Sequence, residues 1–206
     1  MFRASPTGGA FSVSSNVDSA EIWGSELEVV AIPVRGLEAS ATYALALPKF
    51  LKWIDQSVDA NGTPIFDSNG EPVTQNVANQ RSFAMTPQHQ ATFGLTYTAP
   101  PTSVGTLSAH LDMYWQDKVT FITNDATPGA RADRGWNYAV VNGRVQFAEI
   151  PLQKGTFDLA VFGYNLFDRK YRTYGIDFGA SLGMSGNQYG DPRTFGVQLT
   201  YNFAEG

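Results

Sequence analysis

The sequence predicts an all-β chain: an antiparallel, up-and-down sheet of about seven long strands, forming a segment of a larger transmembrane β-barrel. Short periplasmic turns close it at one end and long extracellular loops at the other. Three observations predict this. Charged residues are only 16% of the 206 positions and aromatics reach 13%, whereas soluble globular domains carry about 25% charged residues. Polar and apolar side chains alternate along repeated stretches of about 10 residues, the length that crosses a bilayer when tilted. The connections between these stretches are alternately short and long, as in outer-membrane barrels.

In chain order, residues 2–15 contain Pro6 and the Gly8-Gly9 pair and read as loop. The first strand lies near 20–32, with Glu26 and Glu28 on its polar face. A short connection near 33–36 leads to the second, near 37–47, with Glu38 on that face. After a long connection, 48–88, the third lies near 89–98. Its short successor, 99–104, opens the fourth, near 105–118. There Leu107, Ala109, Leu111, Met113 and Trp115 share one face, and Thr106, Ser108, His110, Asp112 and Gln116 the other. A long loop, 119–135, precedes the fifth strand, near 136–147, with Arg144 on the polar face. A short connection, 148–155, and the sixth strand, near 156–166, with Asp158, follow. The last long loop is 167–192. The seventh strand, 193–203, sets Phe195, Val197, Leu199, Tyr201 and Phe203 against Thr194, Gly196, Gln198, Thr200 and Asn202.

The segregation of charge has a physical cause, because a charge on a lipid face costs about 2–4 kcal/mol at the midplane. A soluble β-sandwich also segregates charge. The polar face here, however, is Ser, Thr, Gly, Ala, Gln and Asn without lysine in the strand interiors. Aromatic residues cluster by height: Trp115, Trp136, Tyr138, Tyr164 and Phe195 toward the loops, and Tyr97, Phe147, Phe157, Tyr201 and Phe203 toward the turns. Two such girdles are expected at the membrane interfaces. Seven is an odd count, and an open edge in lipid leaves backbone groups unsatisfied, so the chain reads as part of a larger barrel.

Several classes are excluded. Lys+Arg 14 against Asp+Glu 19 gives a net charge of -5, which argues against a nucleic-acid surface. With no cysteine there is no disulfide framework, thiol nucleophile or Cys-containing zinc site. No run approaches the roughly 18 apolar residues of a membrane helix, and the first residues do not form a signal peptide.

Specific residues resemble a known family. Pro192-Arg193-Thr194-Phe195-Gly196-Val197-Gln198-Leu199-Thr200-Tyr201-Asn202-Phe203 resembles the last strand of TonB-dependent outer-membrane receptors. Asn165-Leu166-Phe167-Asp168-Arg169-Lys170-Tyr171 is similar to their Asn-Leu-Phe-Asp…Tyr signature, and Gly24-Ser25-Glu26-Leu27-Glu28 followed by Gly36-Leu37 to a strand and hairpin of theirs. The order agrees across most of residues 16–203. The resemblance implies a barrel of about 22 strands around a plug. It also implies energy-coupled uptake of a scarce solute, such as a ferric siderophore, cobalamin or glycan. Residues 1–206 would form the C-terminal part of that barrel, with plug, TonB box and signal peptide absent and transport impossible for these residues alone. Expected partners are outer-membrane lipid, TonB through the missing plug, the barrel-assembly machinery and an unidentified small molecule. No nucleic acid or cofactor is expected.

Thr194, Gly196, Leu199, Tyr201 and Phe203 also resemble the signal by which the assembly machinery recognises its clients. An ordinary lipid-facing strand explains the same pattern, and both readings hold together. Gly179-Ala180-Ser181-Leu182-Gly183 matches a nucleophile elbow, but no helix-forming run follows it and no histidine occurs after His110. It reads as loop, and no catalytic residue is expected. Asp59-Ala60-Asn61-Gly62 and Asp67-Ser68-Asn69-Gly70-Glu71 lack the spacing of calcium loops and read as turns. The triplet Asn61-Gly62-Thr63 carries no weight as a glycosylation site in a bacterial protein. His89 and His110 sit on different strands, and His110 beside Asp112 reads as an interior polar residue rather than a metal ligand. Arg131, Arg134 and Trp136 in one loop, with Trp53 and Arg81 in another, are the candidates for contacting an anionic ligand, against a plainer reading as solvated loop residues.

The leading expectation is therefore a TonB-dependent receptor fragment. The alternatives are a small self-contained outer-membrane pore or anchor, and a soluble β-sandwich binding module.

Overall fold

The computed structural model describes residues 2–4, 10–12, 16–59, 63–123, 134–177 and 184–203. Seven antiparallel strands form one sheet in strict chain order. They are β1 (Ser19–Val34), β2 (Leu37–Lys52), β3 (His89–Thr98), β4 (Thr106–Gln116), β5 (Tyr138–Leu152), β6 (Gly155–Tyr164) and β7 (Thr194–Phe203). Each strand therefore pairs with its neighbours in sequence, the up-and-down meander expected from the alternation.

Differences from the sequence reading lie mainly at the ends. Residues 2–15 are not wholly irregular: Phe2–Ala4 pairs with Ala10–Ser12, apart from the main sheet. Strands β1, β2 and β5 run beyond their expected limits. The connections expected at 33–36 and 148–155 tighten to Arg35-Gly36 and Gln153-Lys154. Gly36 has φ 84, and a side chain there would meet the Thr98 carbonyl oxygen, which the close turn at this end leaves no room to avoid. The chain also bulges in β5 between Phe147 and Ile150. Glu149 takes φ 59 there, and its N–H donates to Asp158 Oδ1 at 2.8 Å.

Register confirms the two faces. On one, Leu95 stands opposite Leu111, Val145 opposite Val161, and Leu159 opposite Leu199. On the other stand all six charges expected there: Glu26 opposite Ala44, Glu28 opposite Thr42, Glu38 opposite Thr96, Asp112 opposite Asn142, Arg144 opposite His110, and Asp158 opposite Thr200. A period of two makes this separation automatic once register is set.

The girdles need one correction. Trp115 and Phe195 lie on the apolar face, as do Tyr97, Phe147, Phe157, Tyr201 and Phe203. Tyr138 pairs with Gln116 and Tyr164 with Thr194, which puts both on the polar face. Height along a strand is independent of parity, so rings at one level divide between the faces.

The sheet has no conventional core. Leu199 is 63% exposed and Phe203 81%, so the apolar face is one that a lipid environment has to cover. Among the described residues, buried apolar side chains cluster where β2 runs into the first long loop: Phe50, Trp53, Val77 and Ala78, packed against Val17 and Phe83.

Candidate functional site

The three long connections all leave from one end of the sheet, because every second turn of a meander does. The first, between β2 and β3, folds on itself. Ile54–Gln56 pairs with Thr74–Asn76, and bridges join Val58 to Pro64 and Phe66 to Pro72. Asp67 Oδ1 accepts from the N–H groups of Asn69 and Glu71 at 2.8 and 2.9 Å, and Asp59 Oδ1 accepts from Thr63 N–H at 2.9 Å. These bonds build the turn 67–71 and tie Asp59 to Thr63. Residues 60–62 lie outside the described residues.

Trp53 and Arg81 belong to this loop's own architecture. Trp53 is 7% exposed, edge-on to Phe50 at 4.9 Å, and Phe50 stacks on Phe83 at 4.1 Å. Arg81 Nη2 lies 3.1 Å from Asp55 Oδ2, with both side chains buried, and its guanidinium sits 5.6 Å from the centre of the Trp53 ring. At the loop's root, Asp18 Oδ2 accepts from the Ile54 N–H at 3.0 Å, and Lys52 Nζ is 3.6 Å from Oδ1. The Ile54 N–H above all holds the Asp18 carboxyl below the usual carboxylate range; desolvation opposes it, and the Lys52 charge and hydrogen bond add to the lowering.

The second loop is pinned to the first. Val119–Thr120 pairs with Arg134–Gly135, Thr120 bridges Ala84, and Thr120 Oγ1 donates to the Phe83 carbonyl at 3.1 Å. The third loop joins the second. Arg172 places its guanidinium 4.7 Å from the Trp136 ring centre and donates from Nη1 to the Arg134 carbonyl at 3.3 Å. Tyr171 stacks on Tyr138 at 4.3 Å. All three loops thus meet around Arg134 and Trp136.

A cleft of about 650 Å³ opens between the first and second loops, beside this junction. Its charged lining is Lys49, Arg81, Lys118 and Arg134 with Asp117, and its aromatic lining is Phe50, Phe83 and Trp136. In a chain of net charge -5 this is a local excess of positive charge, suited to an anion carrying flat or apolar surface. Of the sequence candidates, Arg134, Trp136 and Arg81 line the cleft, Arg81 already bound to Asp55. Trp53 lies beneath it, and Arg131 falls outside the described residues, as does the 179–183 motif. Lys49, Lys118 and Arg172 were missed. Arg172 had a signal in its position just after the Asn-Leu-Phe-Asp segment, whereas single lysines at strand ends had none.

That segment forms a joint. Asn165 is 3% exposed and takes φ 50. Its Oδ1 accepts from the Arg169 N–H at 2.8 Å, and its Nδ2 donates to the carbonyls of Arg169 and Asp191, each at 3.0 Å. One side chain thereby binds the start of the third loop to its end, just before β7. The two histidines are apart: His89 Nδ1 lies 2.7 Å from the Tyr43 hydroxyl, and His110 Nδ1 lies 2.8 Å from Thr96 Oγ1. Among the described residues no group of three or more His, Cys, Asp or Glu is placed to hold a metal ion.

On β7, Thr194 and Gly196 take the polar face, and Leu199, Tyr201 and Phe203 the apolar one. Gly196 leaves room for the Phe162 ring, which a side chain there would overlap. Tyr201 OH donates to the Lys154 carbonyl at 2.9 Å.

A two-faced meander with short turns, long loops and an apolar outer surface is a transmembrane β-barrel segment. The chain belongs to the family of TonB dependent receptor-like β-barrels, whose model matches residues 2–166. Solved structures that share its fold include two receptors. The ferric yersiniabactin uptake receptor FyuA from Yersinia pestis matches at 21% identity with a TM-score of 0.60, over 90% of this chain and 24% of that one. The siderophore receptor PiuA from Acinetobacter baumannii matches at 19% identity with a TM-score of 0.58, over 89% of this chain and 22% of that one. The chain thus spans about a quarter of the length of these receptors. No curated protein sequence matches it. The family consists of outer-membrane transport receptors, so the apolar face is the lipid face and the polar face lines the lumen.

Proposed function

We propose that residues 1–206 form the C-terminal part of the barrel of a TonB-dependent receptor in the outer membrane of a Gram-negative bacterium. The whole receptor takes up a scarce solute, and a ferric siderophore fits better than cobalamin or a glycan. The observation that carries this reading is the cation-rich, aromatic-edged cleft between the first and second long loops, whose Trp136 also meets Arg172 of the third. A ferric siderophore with net negative charge and flat or apolar groups would match both features of the cleft. In this reading Arg134 and Lys118 supply charge and Trp136 a stacking face, while Trp53 and Arg81 hold the first loop in shape.

The sheet itself supports the larger barrel. Both β1 and β7 are edges, and each unpaired backbone group facing lipid costs several kcal/mol, so further strands have to close it. A self-contained seven-stranded pore leaves that cost unmet. Energy coupling through TonB requires the plug, and β7 serves as the signal read by the barrel-assembly machinery. No step calls for a catalytic residue.

The test is equilibrium binding and uptake by the complete receptor, with ferric siderophores, cobalamin and a neutral oligosaccharide offered in parallel. Binding of an anionic ferric chelate, weakened about tenfold or more by Arg134→Gln together with Trp136→Ala, is expected, since a lost charge-assisted bond is worth roughly 1.5–3 kcal/mol. Binding of only the neutral oligosaccharide, unaffected by these changes, would refute the anionic-ligand reading.

A further inference from the structure

A line of polar contacts crosses the lumen face and ends in the third loop. Thr96 Oγ1 on β3 lies 2.8 Å from His110 Nδ1 on β4. His110 Nε2 lies 3.7 Å from Asp112 Oδ1. Asp112 Oδ2 accepts from Asn142 Nδ2 on β5 at 2.8 Å. Asn142 Oδ1 then accepts from the backbone N–H of Asn165 at 3.0 Å. From Asn165 the side-chain bonds reach Arg169 and Asp191.

Each member has a chemical reason to be what it is. The Asn165 N–H needs an acceptor, and with 3% of the residue exposed water is a poor substitute. An amide at 142 can offer either its oxygen or its NH₂ group. An ionised carboxylate only accepts, so Asp112 takes the NH₂ group and leaves the oxygen to face Asn165. The main chain supplies two other bonds here, from Leu166 N–H to the Val141 carbonyl at 2.9 Å and from Asp168 N–H to the Asn165 carbonyl at 2.8 Å. The first ties Leu166 to β5 and the second closes the turn within the loop, so among the described residues only Asn142 ties Asn165 itself to the wall. Beyond it the stem closes through Gly190 N–H to the Tyr171 carbonyl at 3.0 Å, and the next residue is Arg172, over Trp136.

We infer that Asp112 and Asn142 are positioning residues for the third loop: from inside the lumen they fix the stem at Asn165 and so set Arg172 over Trp136. Calling the loop ligand-facing rests on the function proposed above; the positioning itself does not. It also makes the loop's anchor reachable from the lumen, so a group that enters there and competes for Asn142 loosens the loop without touching it.

The test uses the complete receptor folded in detergent and needs no ligand for its main readout. Asn142→Asp sets two carboxylates against each other where one hydrogen bond was. Exchanging the pair, Asp112→Asn with Asn142→Asp, restores the bond in the opposite sense and still leaves an oxygen for the Asn165 N–H. Amide exchange is followed in peptides covering 166–177, with 74–83 in the first loop as reference. Asn142→Asp is expected to speed exchange in 166–177 about tenfold, in line with the loss of one hydrogen bond. The exchanged pair is expected within about twofold of the parent. Unchanged exchange in Asn142→Asp, or an exchanged pair no better than that single variant, would overturn the inference. If Asn142→Asp fails to fold, the exchanged pair decides alone: parental protection supports the inference and faster exchange in 166–177 overturns it. Ferric-siderophore binding is measured alongside. Exchange that follows the expected pattern with binding unchanged supports the positioning and counts against the ligand reading of the cleft only.

Discussion

Replacing Asn165 with glycine should cost the receptor the side-chain bonds that hold the base of the third loop. The side chain makes three hydrogen bonds, accepting from Arg169 N–H at 2.8 Å and donating to the Arg169 and Asp191 carbonyls at 3.0 Å. At about 1 kcal/mol net each the loss is about 3 kcal/mol. Glycine accepts φ 50 without strain, so this figure isolates the bonds from the backbone. Asn165→Asp gives the sign test. Its carboxylate still accepts from Arg169 N–H, but meets two carbonyl oxygens where the amide had donated, so it should be at least as damaging as glycine. The assay is urea unfolding of the complete barrel in detergent, followed by loss of the compact, heat-modifiable gel band. At m of roughly 1–3 kcal/mol/M, a loss of about 3 kcal/mol moves the midpoint down by roughly 1–3 M. A glycine variant within about 0.5 kcal/mol of the parent, the range of an inert surface change, would refute the reasoning. An aspartate variant milder than glycine would refute the assignment of the amide's two donations.

Gly36→Ala should destabilise by roughly 1–2 kcal/mol from the left-handed backbone alone, with the Thr98 carbonyl adding to it; the same gel-shift titration reads it, and a parental midpoint would contradict the turn geometry. Phe203→Ala is expected to lower the amount of receptor inserted in cells while leaving detergent refolding near parental, which quantitative membrane fractionation and refolding yield together test; equal cellular insertion would remove Phe203 from the assembly signal. For pH, Asp18 has a depressed pKa, so its tie to Ile54 is fully present above the ordinary carboxylate range and is lost only as pH falls through the lowered value. The protection factor of the Ile54 amide should therefore persist into more acid solution than an unperturbed carboxylate would allow, and should become pH-independent in Asp18→Asn.

The wall was legible in the sequence because a strand's faces depend only on parity. Leu107 to Trp115 and Phe195 to Phe203 each declared an apolar face from their own spacing, and pairing then had one register that put Glu26, Asp112 and Arg144 on the same side. The failures came where parity gives no help. Tyr138 and Tyr164 were assigned by height, and height does not say which face a ring takes. Trp53 read as a loop aromatic free to meet a ligand. It is buried because Phe50, on β2, and Phe83, far along the same loop, close around it. Arg172 had its position after the Asn-Leu-Phe-Asp segment as a signal, but its partner Trp136 is distant in sequence and comes near only through the packing of two loops. Residues whose role is fixed by period can be read one at a time, whereas those fixed by tertiary contact need the partner's position as well.

The joint at Asn165 shows how the two kinds of order meet. The lipid face of a barrel wall offers no hydrogen-bonding groups, since any polar atom there is costly. A loop that has to be held at a defined angle can therefore be tied only to its neighbours or to the lumen face. The first and second loops use the former route, through Thr120, Ala84 and Phe83. The third uses both: Arg172 reaches the second loop, and the start of the third is tied to the lumen face through Asn142 and Asp112. Polar residues of the lumen wall near the loop end thus have two uses, lining the passage and fixing what stands above it. Asn142 and Asp112 serve the second because their partners are one another and a main-chain N–H, whereas Arg144, one turn of the pleat further in, bonds to Gln146 and Gln198 within the wall. The depth at which a lumen residue sits decides which use is open to it.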